Sequence, residues 1–154
     1  MVVVETRERM HELGVHVAQC LVPGDLVVLV GDLGAGKTTF TQGLGLGLGI
    51  SDPITSPTFV IARAHLDGTY PLVHVDAYRL GSTVELDELD LDAEMSTSIT
   101  VVEWGEGKVE QLTDDRLTIA ITRSDEEDDT RTVEFTGVGR RWTMKALDEL
   151  SAPW

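Results

Sequence analysis

Gly31-Asp32-Leu33-Gly34-Ala35-Gly36-Lys37-Thr38 is the stretch that decides the fold. It has the G-x-x-x-x-G-K-[ST] form of a phosphate-binding loop, and each residue type in it has a physical reason. The glycines let successive backbone N–H groups turn inward and converge on phosphate oxygens. A helix starting at the end of the loop points its positive dipole end at the same anion. Lys37 then neutralises the outer phosphates, and the Thr38 hydroxyl ligates the Mg²⁺ they carry. Asp32, Leu33, Gly34, Ala35, Gly36, Lys37, Thr38 and Thr39 are therefore the candidate nucleotide contacts. Ordinary residue usage gives the pattern to roughly one chain in 200 of this length, so the context has to support it. It does: the run Asp25 to Val30, Asp-Leu-Val-Val-Leu-Val, reads as the buried strand the motif needs before it.

Working outward, the segment from Thr6 to Val22 carries Met10, Leu13, Val17 and Leu21 at helical spacing, and Pro23-Gly24 ends it. After the loop, the motif demands a helix over Lys37 to Leu48, with Gly49 as its C-cap. Local propensity opposes this, because Gly43, Gly45 and Gly47 alternate with leucines and each costs about 0.8–1 kcal/mol relative to alanine. The helix is expected nonetheless. Thr58 to Ala64 and Tyr70 to Asp76 read as two strands around the turn signal Asp67-Gly68. Thr83 to Asp92 reads as an acidic helix, Ile99 to Glu103 as a short buried strand, and Glu106 to Leu112 as a short helix. Arg116 to Thr122 and Arg131 to Phe135 alternate as antiparallel edge strands do, with an acidic turn over residues 124–129 between them. Met144 to Leu150 reads as a terminal helix. The whole chain, residues 1–154, is expected to be a single α/β domain. Its architecture is a P-loop NTPase-like three-layer sandwich with a mixed sheet: central parallel strands, an antiparallel hairpin and edge strands.

Composition narrows the function. A net charge of −15 argues against a nucleic-acid grip, since neutralising phosphates supplies most of that affinity. Any RNA-related role then runs through a partner. Cys20 is the only cysteine, which excludes an internal disulfide and suits a reducing compartment. It reads as a small core residue. Met1 to Met10, a valine run followed by charges, does not resemble a signal peptide, and no apolar run approaches a membrane span. A cytoplasmic location is expected.

Two strand ends offer the carboxylates that a phosphate cradle alone lacks. Asp76 closes Leu72-Val73-His74-Val75, the arrangement that holds Mg²⁺ or its waters. Glu103 closes Ile99-Thr100-Val101-Val102 and reads either as a metal ligand or as the group aligning the attacking water. Their position after buried runs separates them from the other acids, because ligand sites in α/β sheets open there. Lys37, Asp76 and Glu103 are the candidate catalytic residues, and Thr38, Asp76 and Glu103 the candidate metal set. Arg79 is open between stabilising phosphoryl charge and pairing with a nearby acid. Thr58 is open between a switch sensing the γ-phosphate and a turn hydroxyl satisfying the backbone. Trp104 is open between a site cover, a partner contact and core. His74 alternates with buried valines and reads as structural.

Four segments then carry a resemblance: residues 31–40 (GDLGAGKTTF), 56–59 (SPTF), 74–80 (HVDAYRL) and 102–104 (VEW). In this order and spacing they resemble the TsaE family, formerly YjeE, over roughly residues 5 to 123. The resemblance implies an Mg²⁺-dependent ATPase that takes ATP and is needed to make threonylcarbamoyladenosine in tRNA. It implies work at the interface of the TsaB and TsaD proteins, with hydrolysis resetting that complex. Lys37 would contact phosphates, Thr38 and Glu103 would be magnesium-associated, and Asp76 would be the Walker B acid. Met10 stands where the family often has threonine, and Gly105 where some members have proline. Two other readings use the same loop: a small-molecule kinase, and a nucleotide-dependent binding module without essential hydrolysis.

Overall fold

The apolar run before the loop becomes β2 (Leu26–Val30), and its alternating side chains feed two separate cores. Val27 and Leu29 face one, Leu26 and Val28 the other. A strand apolar on both faces is the mark of a central position in a parallel sheet covered on both sides. The computed structural model describes residues 1–57, 61–78, 91–124 and 128–154, with the side chains of Leu91 and Asp92 excepted. Thr58 and Arg79 lie outside the described residues, as do most of the expected acidic helix and the centre of the acidic turn.

Around β2 the described strands are β1 (Val2–Val4), β3 (Ala62–His65), β4 (Leu72–Asp76), β5 (Ile99–Glu103), β6 (Arg116–Arg123) and β7 (Arg131–Val138). They form one sheet in the order β1-β7-β6-β2-β5-β4-β3. The four central strands β6, β2, β5 and β4 run parallel, while β3 and the β7–β1 pair are antiparallel additions at the two flanks. The mixed sheet is as the sequence suggests, and the hairpin register is Ala62↔Val75 to His65↔Leu72. One placement differs. β6 and β7 are antiparallel to each other, yet neither is an edge, because β6 also pairs with β2 and β7 with β1. Their polar alternation comes from having one face in the main core and the other half-buried in β6 and largely exposed in β7, a pattern that does not distinguish an edge from an interior strand. The valine run at residues 2–4 is the true edge.

One face of the sheet carries α1 (Arg7–Ala18) and α2 (Lys37–Gly47). The Thr6 side chain caps α1 by accepting from the Arg9 N–H. α2 ends where Gly49 takes φ +76° and its N–H reaches the Leu46 carbonyl. The glycine alternation in α2 now has a cause. A Cβ on Gly43 would lie 2.0 Å from the His11 carbonyl oxygen, and one on Gly14 would lie 2.3 Å from that of Phe40. The two helices cross backbone to backbone at this pair, and the close approach fully buries Phe40, Leu44, Met10 and Leu13. Each such side chain contributes about 1.5–3 kcal/mol on burial, more than the propensity cost of one glycine. Gly43→Ala is therefore expected to destabilise despite improving helix propensity. Overpacking against backbone costs about 1–3 kcal/mol, and the denaturation midpoint should fall accordingly.

Among the described residues, the opposite face is covered by α3 (Leu91–Met95) and the turns after β5, through Met95 and Val109. Residues 106–112 form hydrogen-bonded turns, such as Val109 N–H to the Gly105 carbonyl, in place of the expected short helix. The C-terminal segment returns to the first face. Trp142 and Leu150 enter the main core, α4 (Met144–Leu150) follows, and Arg141 clamps the buried Asp25 carboxylate through Nε and Nη2, each at 3.0 Å. Among the described residues no helix is long and apolar enough to cross a membrane.

Candidate active site

Three parallel strands deliver the site. β2 ends in the phosphate loop, and β5 lies between it and β4. The β4–β5 register sets Asp76 directly beside Glu103, and Leu29 of β2 lies on the other side of Glu103. All three strand ends therefore open at one edge of the sheet, where crevices form in such folds.

Gly36, at φ +117°, turns the chain from the loop into α2 and leaves the first helical N–H groups without a side-chain cap. Those amides and the helix dipole make an anion site. They open on a cavity of about 530 Å³ whose walls include Leu33, Gly34, Gly36, Lys37, Thr38 and Thr39. Asp76, Glu103 and Trp104 line it as well. The structure thus gathers most of the candidate residues around one space. Asp32 and Ala35 stand apart. Asp32 lines a neighbouring groove of about 480 Å³, and Ala35 is buried against the main core.

Lys37 is nearly buried and folds back over its own loop, donating to the Gly31 carbonyl at 2.6 Å and to that of Asp32 at 3.0 Å. Its Nζ lies 4.3 Å from the Trp104 ring centroid, a cation–π distance. Burial holds the ammonium below the ordinary lysine range, opposed by the nearby charges of Glu103, Asp32 and Asp76. Trp104 takes φ +60°, a left-handed conformation that costs a non-glycine residue of order 1–3 kcal/mol. That turn sets the indole over the lysine, with Tyr78 packed edge-on at 5.1 Å.

The two carboxylates are almost inaccessible, Asp76 at 6 % and Glu103 at 3 % exposure. Asp76 Oδ1 accepts from the Tyr78 N–H, and Glu103 Oε1 pairs with His74 Nε2 at 2.9 Å. Two carboxylates and the Thr38 hydroxyl are hard oxygen donors, the set that suits Mg²⁺.

Residues that sequence reasoning passed over also take part. Ser56 and Tyr78 line the cavity, and both belong to quoted motifs, so their position was a usable signal. His74 shares its strand face with Asp76 by the period of two, although it was read as structural. Arg131 Nε donates to the Ala35 carbonyl at 3.2 Å, steadying the loop from β7. No local signal marks it, because the contact spans 96 positions. Arg131→Ala is expected to weaken nucleotide binding several-fold while leaving the thermal midpoint almost unchanged, as titration calorimetry and a melting curve would show.

Residues 4–133 match the family described as "Threonylcarbamoyl adenosine biosynthesis protein TsaE". The chain belongs to the TsaE family. It is 59% identical over 147 residues to the tRNA threonylcarbamoyladenosine biosynthesis protein TsaE of Streptomyces coelicolor, covering 92% of this chain and 99% of that one. The TsaE of Bacillus subtilis is 46% identical over 130 residues, covering 84% and 79% of the two chains. Among solved structures, the crystal structure of Bacillus subtilis YdiB superposes with a TM-score of 0.79 at 38% identity, covering 97% of this chain and 91% of that one. The α/β fold with its seven-stranded mixed sheet is thus shared with a solved relative of this TsaE-family chain.

Proposed function

We propose that this TsaE-family chain is an Mg²⁺-dependent ATPase serving threonylcarbamoyladenosine formation in tRNA as an accessory subunit to TsaB and TsaD in the cytoplasm. The observation that carries the ATPase reading is the register of β4 against β5. It sets the Asp76 and Glu103 carboxylates side by side, facing Lys37 and the start of α2. Two desolvated acids beside a phosphate cradle suit a nucleotide-bound Mg²⁺, which would offset their burial.

In this reading the α2 amides hold the phosphate chain of ATP, and Lys37 exchanges the Gly31 and Asp32 carbonyls for phosphate oxygens. Thr38, Asp76 and Glu103 would hold Mg²⁺ or its waters, and the metal would supply charge neutralisation at the phosphoryl group. Glu103 would serve either as a metal ligand or as the group that orients the attacking water. Trp104 and Tyr78 wall the site, so Lys37 leaves the indole face as it engages phosphate. The net charge of −15 assigns tRNA to the partner subunits. Leu33, at 94 % exposure on the loop itself, and Tyr78, at 65 %, give those partners an apolar foothold at the rim.

The test is reconstitution. Purified TsaB and TsaD, tRNA, threonylcarbamoyl donor and ATP should give repeated rounds of modification only when this chain is present. Modification at the same rate without it would refute the proposal. Label from γ-phosphate appearing on a metabolite, in place of free phosphate, would favour the kinase reading.

A further inference from the structure

His74 faces the site, yet it has no part in the proposed hydrolysis. It sits in the middle of β4 with its side chain wholly inaccessible, and its Nε2 lies 2.9 Å from Glu103 Oε1. A carboxylate offers only acceptors, so Nε2 carries the proton and donates. His74 Nδ1 is also buried and has no partner among the described residues. Among the described residues the imidazole thus makes a single bond, and that bond goes to the site. A histidine held for packing alone gains nothing from this arrangement, because apolar groups of like shape fill such a position without an unsatisfied nitrogen.

Asp76 is restrained in a parallel way. One oxygen, Oδ1, is held by the Tyr78 backbone N–H, and the residue lines the cavity. Glu103 has the longer side chain, and with it an additional torsion that must be fixed if its free oxygen is to face the cavity. The bond from His74 to Oε1 fixes it, leaving Oε2 as the oxygen not so held. The sheet makes this possible. The register pairs His74 with Val101 and Asp76 with Glu103, so the imidazole approaches Glu103 diagonally from two residues down the neighbouring strand.

We propose that His74 is a positioning residue for Glu103: its Nε2–H locks one carboxylate oxygen and thereby aims the other at the metal and water side of the site. This rests on the reading of Glu103 as a group that serves the phosphoryl-transfer step. His74 acts through Glu103, without touching the nucleotide.

Two variants separate aiming from packing. Glutamine places an amide N–H close to where Nε2 lies, whereas asparagine places one near Nδ1, out of reach of Glu103. His74→Asn should lower ATP turnover, measured with TsaB and TsaD present, by about 10- to 100-fold, the scale of a misplaced reacting group. ATP affinity measured by calorimetry in EDTA should stay near that of the unmodified chain, while the thermal midpoint falls, because a buried carboxylate oxygen loses its donor. His74→Gln should restore most of the turnover. Adding His74→Asn to Glu103→Gln should cause no further loss, since the group it aims is already disabled. Equal behaviour of the asparagine and glutamine variants would overturn the proposal. So would multiplying losses in the double variant, or a fall in turnover that follows lost ATP affinity in EDTA. Full turnover in Glu103→Gln itself would show instead that the reading of Glu103 is wrong, and would remove His74 with it.

Discussion

Lys37→Ala is expected to weaken ATP binding by about 10- to 100-fold and to lower hydrolysis by a further two to three orders of magnitude. The first effect follows from losing charge-assisted hydrogen bonds to phosphate, each of about 1.5–3 kcal/mol, where 1.4 kcal/mol is tenfold. The second follows from removing a fixed positive charge where negative charge develops during transfer. Folding should survive. Lys37 donates to two carbonyls of its own loop, and neither belongs to the core. The variant also removes a cation from beside Asp76 and Glu103, so what ATP binding remains should depend more steeply on added Mg²⁺. Isothermal titration at several Mg²⁺ concentrations, paired with a phosphate-release assay, reads both effects. Unchanged ATP affinity would move the phosphate site away from the loop.

Glu103→Gln is expected to separate binding from turnover. The two side chains have nearly the same shape, so the buried position between β2 and β4 remains filled and His74 still finds an acceptor. What disappears is one negative charge facing the phosphates. In the absence of Mg²⁺, ATP should bind at least as tightly as before, because a like-charge repulsion has been removed. With Mg²⁺, turnover should drop by about 100- to 1000-fold, the range seen when a group that orients water or stabilises the transition state is lost. A variant that binds ATP but hydrolyses it slowly is also the reagent for trapping the chain on its partners. Retention of full hydrolysis would make Asp76 the sole functional acid.

Much of this was legible in the sequence because the site is built from local motifs. The loop, the strand before it and the helix after it occupy residues 26–47 without interruption. Asp76 and Glu103 each end a short apolar run, so their strand-end position could be read without knowing how the strands pair. What the sequence does not carry is anything decided across the sheet. The Gly14–Gly43 crossing explains an alternation that local propensity counts against a helix. The edge position of β1 depends on its pairing with β7, more than 120 positions away, so a three-valine run gave no warning of it. The bonds from His74 to Glu103 and from Arg131 to Ala35 likewise join residues that only the register brings together. The polar period of β6 and β7 described a face, and a face says nothing about order in the sheet. Met10 packs against Gly36 and belongs to the core beneath the loop.

The central claim, that the loop and the two strand-end carboxylates form one ATP-hydrolysing site tuned by partners, is tested most directly by steady-state ATP turnover. The purified chain would be assayed alone and with TsaB and TsaD added, with Mg²⁺ and with EDTA. Slow, Mg²⁺-dependent hydrolysis that rises when both partners are present is the expected result. A rate that ignores both the metal and the partners would contradict it.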